Sequence, residues 1–161
     1  MVVAKQIHSI EEFRFRWGNA WLHRDSGFDT ILEKRPNNQY TINVLELRND
    51  NPTVIEINAE AFIRDLEKLK IQSWNKKEYL GNYEDGDSWY LSIKYDQVSI
   101  WATGGGMGYP RNFQDFLEVL KKHGFPDSIF KSISSKDVKR TKTIDIEDKI
   151  YSTYADYHYR N

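Results

Sequence analysis

The sequence predicts an α+β domain, an antiparallel sheet of about five or six strands with two main helices packed on one face. Three observations lead there. Short runs alternate apolar and polar residues and are separated by turn clusters. Two longer stretches repeat their apolar residues at helical spacing. The strands also come in runs with the helices following, rather than in strict strand-helix alternation.

Residues 10–22 admit two readings. Ser9 and Glu12 have capping-box spacing, and Ile10, Phe13, Trp17 and Trp21 would share one helical face. In "FRFRW", however, Phe13, Phe15 and Trp17 alternate with Arg14 and Arg16 before Gly18-Asn19 turns the chain, and this strand is the preferred reading. On a strand the rings enter the core and the arginines meet solvent. The runs 28–34, 40–47 and 53–57 are β-prone and separated by "RPNNQ" and "RNDNP", which predicts a meander.

Asn58 is a candidate N-cap for a helix to about Lys70, with Ala59, Phe62, Ile63, Leu66 and Leu69 on its apolar face. Residues 71–87 read as a connector with turn chemistry at Gly81-Asn82 and Asp85-Gly86. Residues 88–95 then alternate cleanly, Asp96-Gln97 turns the chain, and 98–103 returns as a paired strand. Asn112 is expected to cap a second helix facing inward with Phe113, Phe116, Leu117 and Leu120, and Gly124 to stop it. After Pro126 the pattern weakens. "DSIFKSIS" reads as a short helix, "DVKRTKTIDI" as a charged strand or loop, and the tyrosine-rich tail as a C-terminal helix docked on the core.

A chain of 161 residues with no linker or repeat fits one domain over 1–161, large enough to bury a real core. Its 23 Lys and Arg against 24 Asp and Glu leave a net charge of -1, so no global field draws a polyanion. There is no cysteine, which excludes disulfides and thiolate chemistry and fits a reducing compartment. Without an apolar leader or a long apolar run, the expectation is a cytoplasmic protein that engages no membrane.

Local motifs argue against several chemistries. In "WATGGGMGYPRNFQDF", a P-loop would need Lys-Ser/Thr after the last glycine, and Tyr109-Pro110 stands there. The dinucleotide fingerprint fails at its last glycine as well. The cluster therefore reads as a bend that lets a strand pass into a helix, with no anion held. "YEDGDSW" lacks the spaced oxygens of a calcium loop, and His8, His23, His123 and His158 form no metal-binding pair. No Gly-x-Ser-x-Gly elbow occurs. No cofactor, metal or catalytic residue is assigned.

Binding chemistry has better candidates. Rings with polar tips suit protein interfaces, which nominates Trp17, Trp21, Trp74, Tyr109, Tyr151 and Tyr154 as partner-binding residues. Arg14, Arg16, Arg24, Lys139 and Arg140, near aromatic residues, form the corresponding nucleic-acid set.

Trp74 with Tyr79, Asp85-Gly86 with Trp89, Leu91 and Ile93, then Gly105, Tyr109-Pro110, Asn112-Phe113 and Phe116 make a longer pattern. It resembles a W-x4-Y, D-G-x2-W-x-L-x-I, G-x-N-x-Y-P-x-N-F-x2-F motif of small uncharacterised bacterial proteins. Met107 stands where that motif has Asn, and "WGNAW" resembles a turn of the same proteins. The resemblance covers mainly residues 74–117 and implies one strand-strand-helix packing unit. It carries no activity; some proteins of this kind look like immunity or accessory factors in bacterial conflict systems. The expected function is a non-enzymatic protein-binding module of immunity or inhibitor type. A nucleic-acid-binding accessory protein and an enzyme whose groups meet only in the fold are the alternatives.

Overall fold

Alternation decides the first segment. In the computed structural model, which describes residues 6–19, 27–47, 50–81, 87–106, 108–133 and 142–145, Ile10–Asn19 is a strand, β1. Phe13, Phe15 and Trp17 are buried on its inner face, while Arg14 and Arg16 lie on the outer one. Strands β2 (Gly27–Arg35), β3 (Gln39–Glu46) and β4 (Thr53–Ile57) continue as the antiparallel meander expected from their turn clusters. The β2–β3 turn places Asn37 and Asn38 in the left-handed region, which asparagine tolerates better than most residues.

Asn58 caps α1 (Ala59–Lys68), its side-chain oxygen accepting the Ala61 N–H at 3.1 Å. The helix lays Phe62, Ile63 and Leu66 on the sheet and is followed by a 3-10 turn, Ile71–Trp74. A short strand, β5 (Lys77–Leu80), comes next, then the hairpin of β6 (Asp87–Tyr95) and β7 (Val98–Gly105). Helix α2 (Phe113–Lys122) covers the same face as α1 with Phe113, Phe116, Leu117 and Leu120. Gly124, at φ 94°, ends that segment. Helix α3 (Asp127–Ser132) packs against β2, and β8 (Lys142–Asp145) closes the described part of the chain.

The strands form one sheet in the order β4-β3-β2-β1-β6-β7-β5-β8. This corrects the expected architecture in two respects. Among the described residues the sheet has eight strands rather than five or six, and β5 runs parallel to β7, so the sheet is mixed. The parallel pairing arises because the chain crosses the inner face through α1 and enters the sheet outside β7 before the β6–β7 hairpin is laid down. The core sits between this sheet and the two longer helices. Edge-to-face ring pairs link the layers, Phe13 with Phe62 at 4.9 Å and Phe15 with Phe116 at 5.1 Å between centroids.

Candidate functional site

Of the residues nominated as partner-binding, the three that are described are placed inside. Trp17, Trp74 and Tyr109 are all at most 3% exposed, and each spends its polar tip on an internal partner. The Trp17 indole N–H donates to the Tyr109 hydroxyl at 3.0 Å, and that hydroxyl donates to Asp87 Oδ2 at 3.2 Å. The Tyr109 ring packs between Trp89 and Phe113, the latter 4.4 Å away between centroids. Burial pushes the Tyr109 hydroxyl well above its usual range. It also raises the Asp87 carboxyl, which the Tyr109 hydrogen bond partly offsets. This pair is a buried acid beside a phenol, held among rings.

Trp74 donates its indole N–H to Asn112 Oδ1 at 3.0 Å, and Asn112 Nδ2 donates to the Leu69 carbonyl at 2.9 Å. Asn112 therefore stands at the N-cap of α2 without capping it through its side chain, contrary to expectation. A buried indole N–H needs an acceptor, and the amide supplies one while tying α2 to the end of α1.

The glycine cluster supports close backbone passage. A Cβ at Gly104 would lie 1.9 Å from the Trp89 Nε1, and one at Gly108 would lie 2.5 Å from the Gly81 nitrogen. The amides are used internally, with the Gly81 and Gly108 N–H groups both donating to the Gly105 carbonyl at 2.9 and 3.0 Å. Trp89 Nε1 donates to the Gly108 carbonyl at 2.8 Å.

The two described arginines of the nucleic-acid set share one acid. Arg14 donates to both carboxylate oxygens of Asp29, at 3.2 and 2.7 Å, a bond that raises its pKa. Arg16 lies 3.7 Å from the same carboxylate and is largely exposed. The register of β1 with β6 puts Arg16 opposite Tyr90, so a ring does stand on the arginine face. The order of residues within β1 alone could not reveal it. Trp21, Arg24, Lys139, Arg140, Tyr151 and Tyr154 lie outside the described residues.

Exposed apolar surface gathers elsewhere. Leu45, Leu47 and Val54 are 42%, 63% and 51% exposed, and Tyr90 is the one other large exposed hydrophobic among the described residues. Leu45 sits on the outer face of β3, opposite in phase to buried Ile42 and Val44, and Leu47 follows it with the same parity. Val54 pairs with Asn43 on β4, the terminal strand of the sheet, which puts it diagonally beside Leu45. Glu56 follows Val54 with the same parity on β4 and has no ion-pair partner among the described residues. The phase of "YTINVLEL" held a readable signal. Two leucines share a face with Thr41 and Asn43, where polar residues belong.

Among the described residues no helix is long and apolar enough to cross a membrane, and no group of three or more acids and histidines is arranged to hold a metal. Comparison of the sequence with protein-family models and with curated proteins finds no match to either.

Proposed function

We propose that this chain is a protein-binding module that takes an extended strand of its partner along the β4 edge, over the patch of Leu45, Leu47 and Val54. One observation carries the reading. Three of the four large exposed hydrophobics described lie together at the β4 end of the sheet, which is terminal among the described residues. A terminal strand offers backbone donors and acceptors to a new strand, and contiguous apolar side chains beside it supply the burial that makes pairing favourable. Glu56, which shares the face of Val54 and has no ion-pair partner among the described residues, fits a partner whose apolar strand carries a neighbouring basic residue.

A phosphate backbone fits this surface less well. Arg14 already holds Asp29 with two hydrogen bonds, and Glu56 stands on the face of the patch beside Val54, where a phosphate would meet its charge. An immunity- or inhibitor-type role in the bacterial cytoplasm draws its support from the motif resemblance over residues 74–117. Occluding a partner's strand is a direct way to inhibit it.

Photo-crosslinking tests the proposal. A crosslinking amino acid at position 54 is compared with one at exposed Glu118 on α2 in lysate of the source cells, and the captured protein is identified and purified. Val54→Lys with Leu45→Lys then weakens its binding by at least about tenfold in calorimetry, as loss of a central apolar contact implies. Equal capture from both positions, capture of nucleic acid from position 54, or unchanged affinity in the double variant overturns the proposal.

A further inference from the structure

At the opposite end of β4 from Val54, the β2–β3 turn, the β4–α1 junction and the segment entering β1 enclose a cleft of about 920 Å³. That volume is in the range of small-molecule sites, roughly 300–1,000 Å³. Its apolar lining comes from Tyr40, Ile57, Ile10 and Ile7. Tyr40 and Ile57 face each other across β3 and β4, and Lys34 is the β2 residue opposite Tyr40. Tyr40, Ile57 and the Lys34 ammonium group therefore come from three adjacent strands at one level of the sheet.

The charged residues around the cleft are not equally available. Arg35 is engaged by Glu33 at 3.5 Å and by the Thr41 hydroxyl at 3.3 Å. Glu60 is held by Arg64 at 2.9 Å and by the Ile7 N–H. Among the described residues this leaves the Lys34 ammonium and the Glu56 carboxylate without an ion-pair partner. Neutral donors add to Lys34. Asn58 uses its side-chain oxygen on the Ala61 N–H, which leaves its amide NH2 to donate, and Asn38 and Gln39 contribute two more amides.

We propose that this cleft binds a small organic monoanion, a carboxylate on an apolar or aromatic body, with the body against Tyr40 and Ile57 and the carboxylate on Lys34. The balance of charge selects the class. One ammonium free of ion pairs among the described residues, with the His8 imidazole and several neutral donors, suits a single carboxylate, whereas a doubly charged phosphate would also face Glu56 and Glu60. The apolar lining adds burial that a bare inorganic anion cannot use.

The test is a titration of isotope-labelled protein followed by amide NMR shifts at about 0.15 M salt, a level that screens diffuse surface attraction. The probes are 3-phenylpropionate, its neutral amide and inorganic phosphate. The expected result is saturable shifts at Asn38, Tyr40, Glu56 and Ile57 with 3-phenylpropionate, and binding at least about tenfold weaker for the other two probes. Lys34→Gln, at an exposed position, brings the carboxylate down to the affinity of the amide and leaves the amide unchanged. Phosphate binding as tightly as the carboxylate, shifts that do not saturate or lie outside the cleft, or a carboxylate affinity indifferent to Lys34→Gln each overturns the proposal.

Discussion

Replacing Tyr109 with Phe removes one oxygen atom and tests whether the buried chain from Trp17 to Asp87 holds the fold together. The ring stays, so packing against Trp89 and Phe113 is kept. What is lost is the acceptor of the Trp17 N–H and the donor to Asp87, both inside the core. An orphaned buried donor costs about 1–3 kcal/mol, and a lost hydrogen bond to an ionised group about 1.5–3 kcal/mol, so the variant should lose about 4 kcal/mol at neutral pH. The loss depends on pH with a definite sign. Burial raises the folded pKa of Asp87 above its unfolded value near 3.9, so ionising Asp87 weakens the fold as pH rises through that interval. The Tyr109 hydroxyl limits this loss by favouring the charged form. Without it the penalty grows, so the gap between the two proteins widens from acid to neutral pH, from about 2 kcal/mol where Asp87 is protonated. Urea unfolding of both proteins at about pH 4 and about pH 8, analysed by midpoint and slope, measures the gap at each. A loss under about 1 kcal/mol at pH 8, or a gap that does not change with pH, refutes the reasoning.

Gly104→Ala should cost about 3 kcal/mol or more, because its Cβ would lie 1.9 Å from the Trp89 Nε1 and displace the hydrogen bond to Gly108. Gly105→Ala meets nothing within 4 Å and should be neutral or slightly stabilising, so thermal melts of the two variants should diverge. Asp65→Asn tests the clasp between α1 and α2, where His123 Nε2 at 2.7 Å and Lys122 Nζ at 3.0 Å meet one carboxylate oxygen. Hydrogen bonds from His123 and Lys122 hold the Asp65 carboxyl well below its usual range. Its stabilisation is therefore complete above the unfolded value near 3.9 and lost as pH falls toward the folded one. The substitution should cost about 1–2 kcal/mol at neutral pH, the exposed lysine contributing little, and flatten the acid limb of the stability curve. An unchanged acid limb would count against the clasp.

Legibility followed the clarity of each residue pattern. The strands β2 to β4, β6 and β7 and both longer helices lie within a residue or two of their expected bounds, because each has one buried face and hence a strong period, while β1 starts three residues before Phe13 and pairs through Gly18-Asn19, which were expected to turn the chain. β5 escaped notice for the converse reason. Its four residues, "KEYL", show no alternation, and Glu78 is buried to 2% exposure in a strand flanked on both sides. Pairing on both edges makes it a strand, and that information lies in β7 and β8. The rings misled for a related reason. Aromatic richness is equally compatible with an interface and with a ring-built core, and only burial separates the two. The corner formed by Leu45, Leu47 and Val54 was visible as a break in phase, but its meaning depended on β4 being terminal, a fact of sheet order that no local window contains.

A core built from tryptophan and tyrosine must give each polar tip a partner, and the partners used here come from distant parts of the chain. Trp17 reaches Tyr109, Trp74 reaches Asn112, and Trp89 reaches the Gly108 carbonyl. Each bond fixes a strand or turn against the segment around the glycines, so that segment acts as a clamp on the sheet. The indoles committed to the clamp cannot also contact a partner without dismantling it. On the proposed reading recognition is left to side chains the clamp does not need, and these are aliphatic: those of Leu45, Leu47 and Val54, which are largely exposed. Natural sheets usually place charge or proline beside a terminal strand, and three such residues together there among the described residues depart from that pattern. On the proposed reading Pro52 and Glu56 flank Val54, the outward-facing residue between them, which is left apolar for one particular strand.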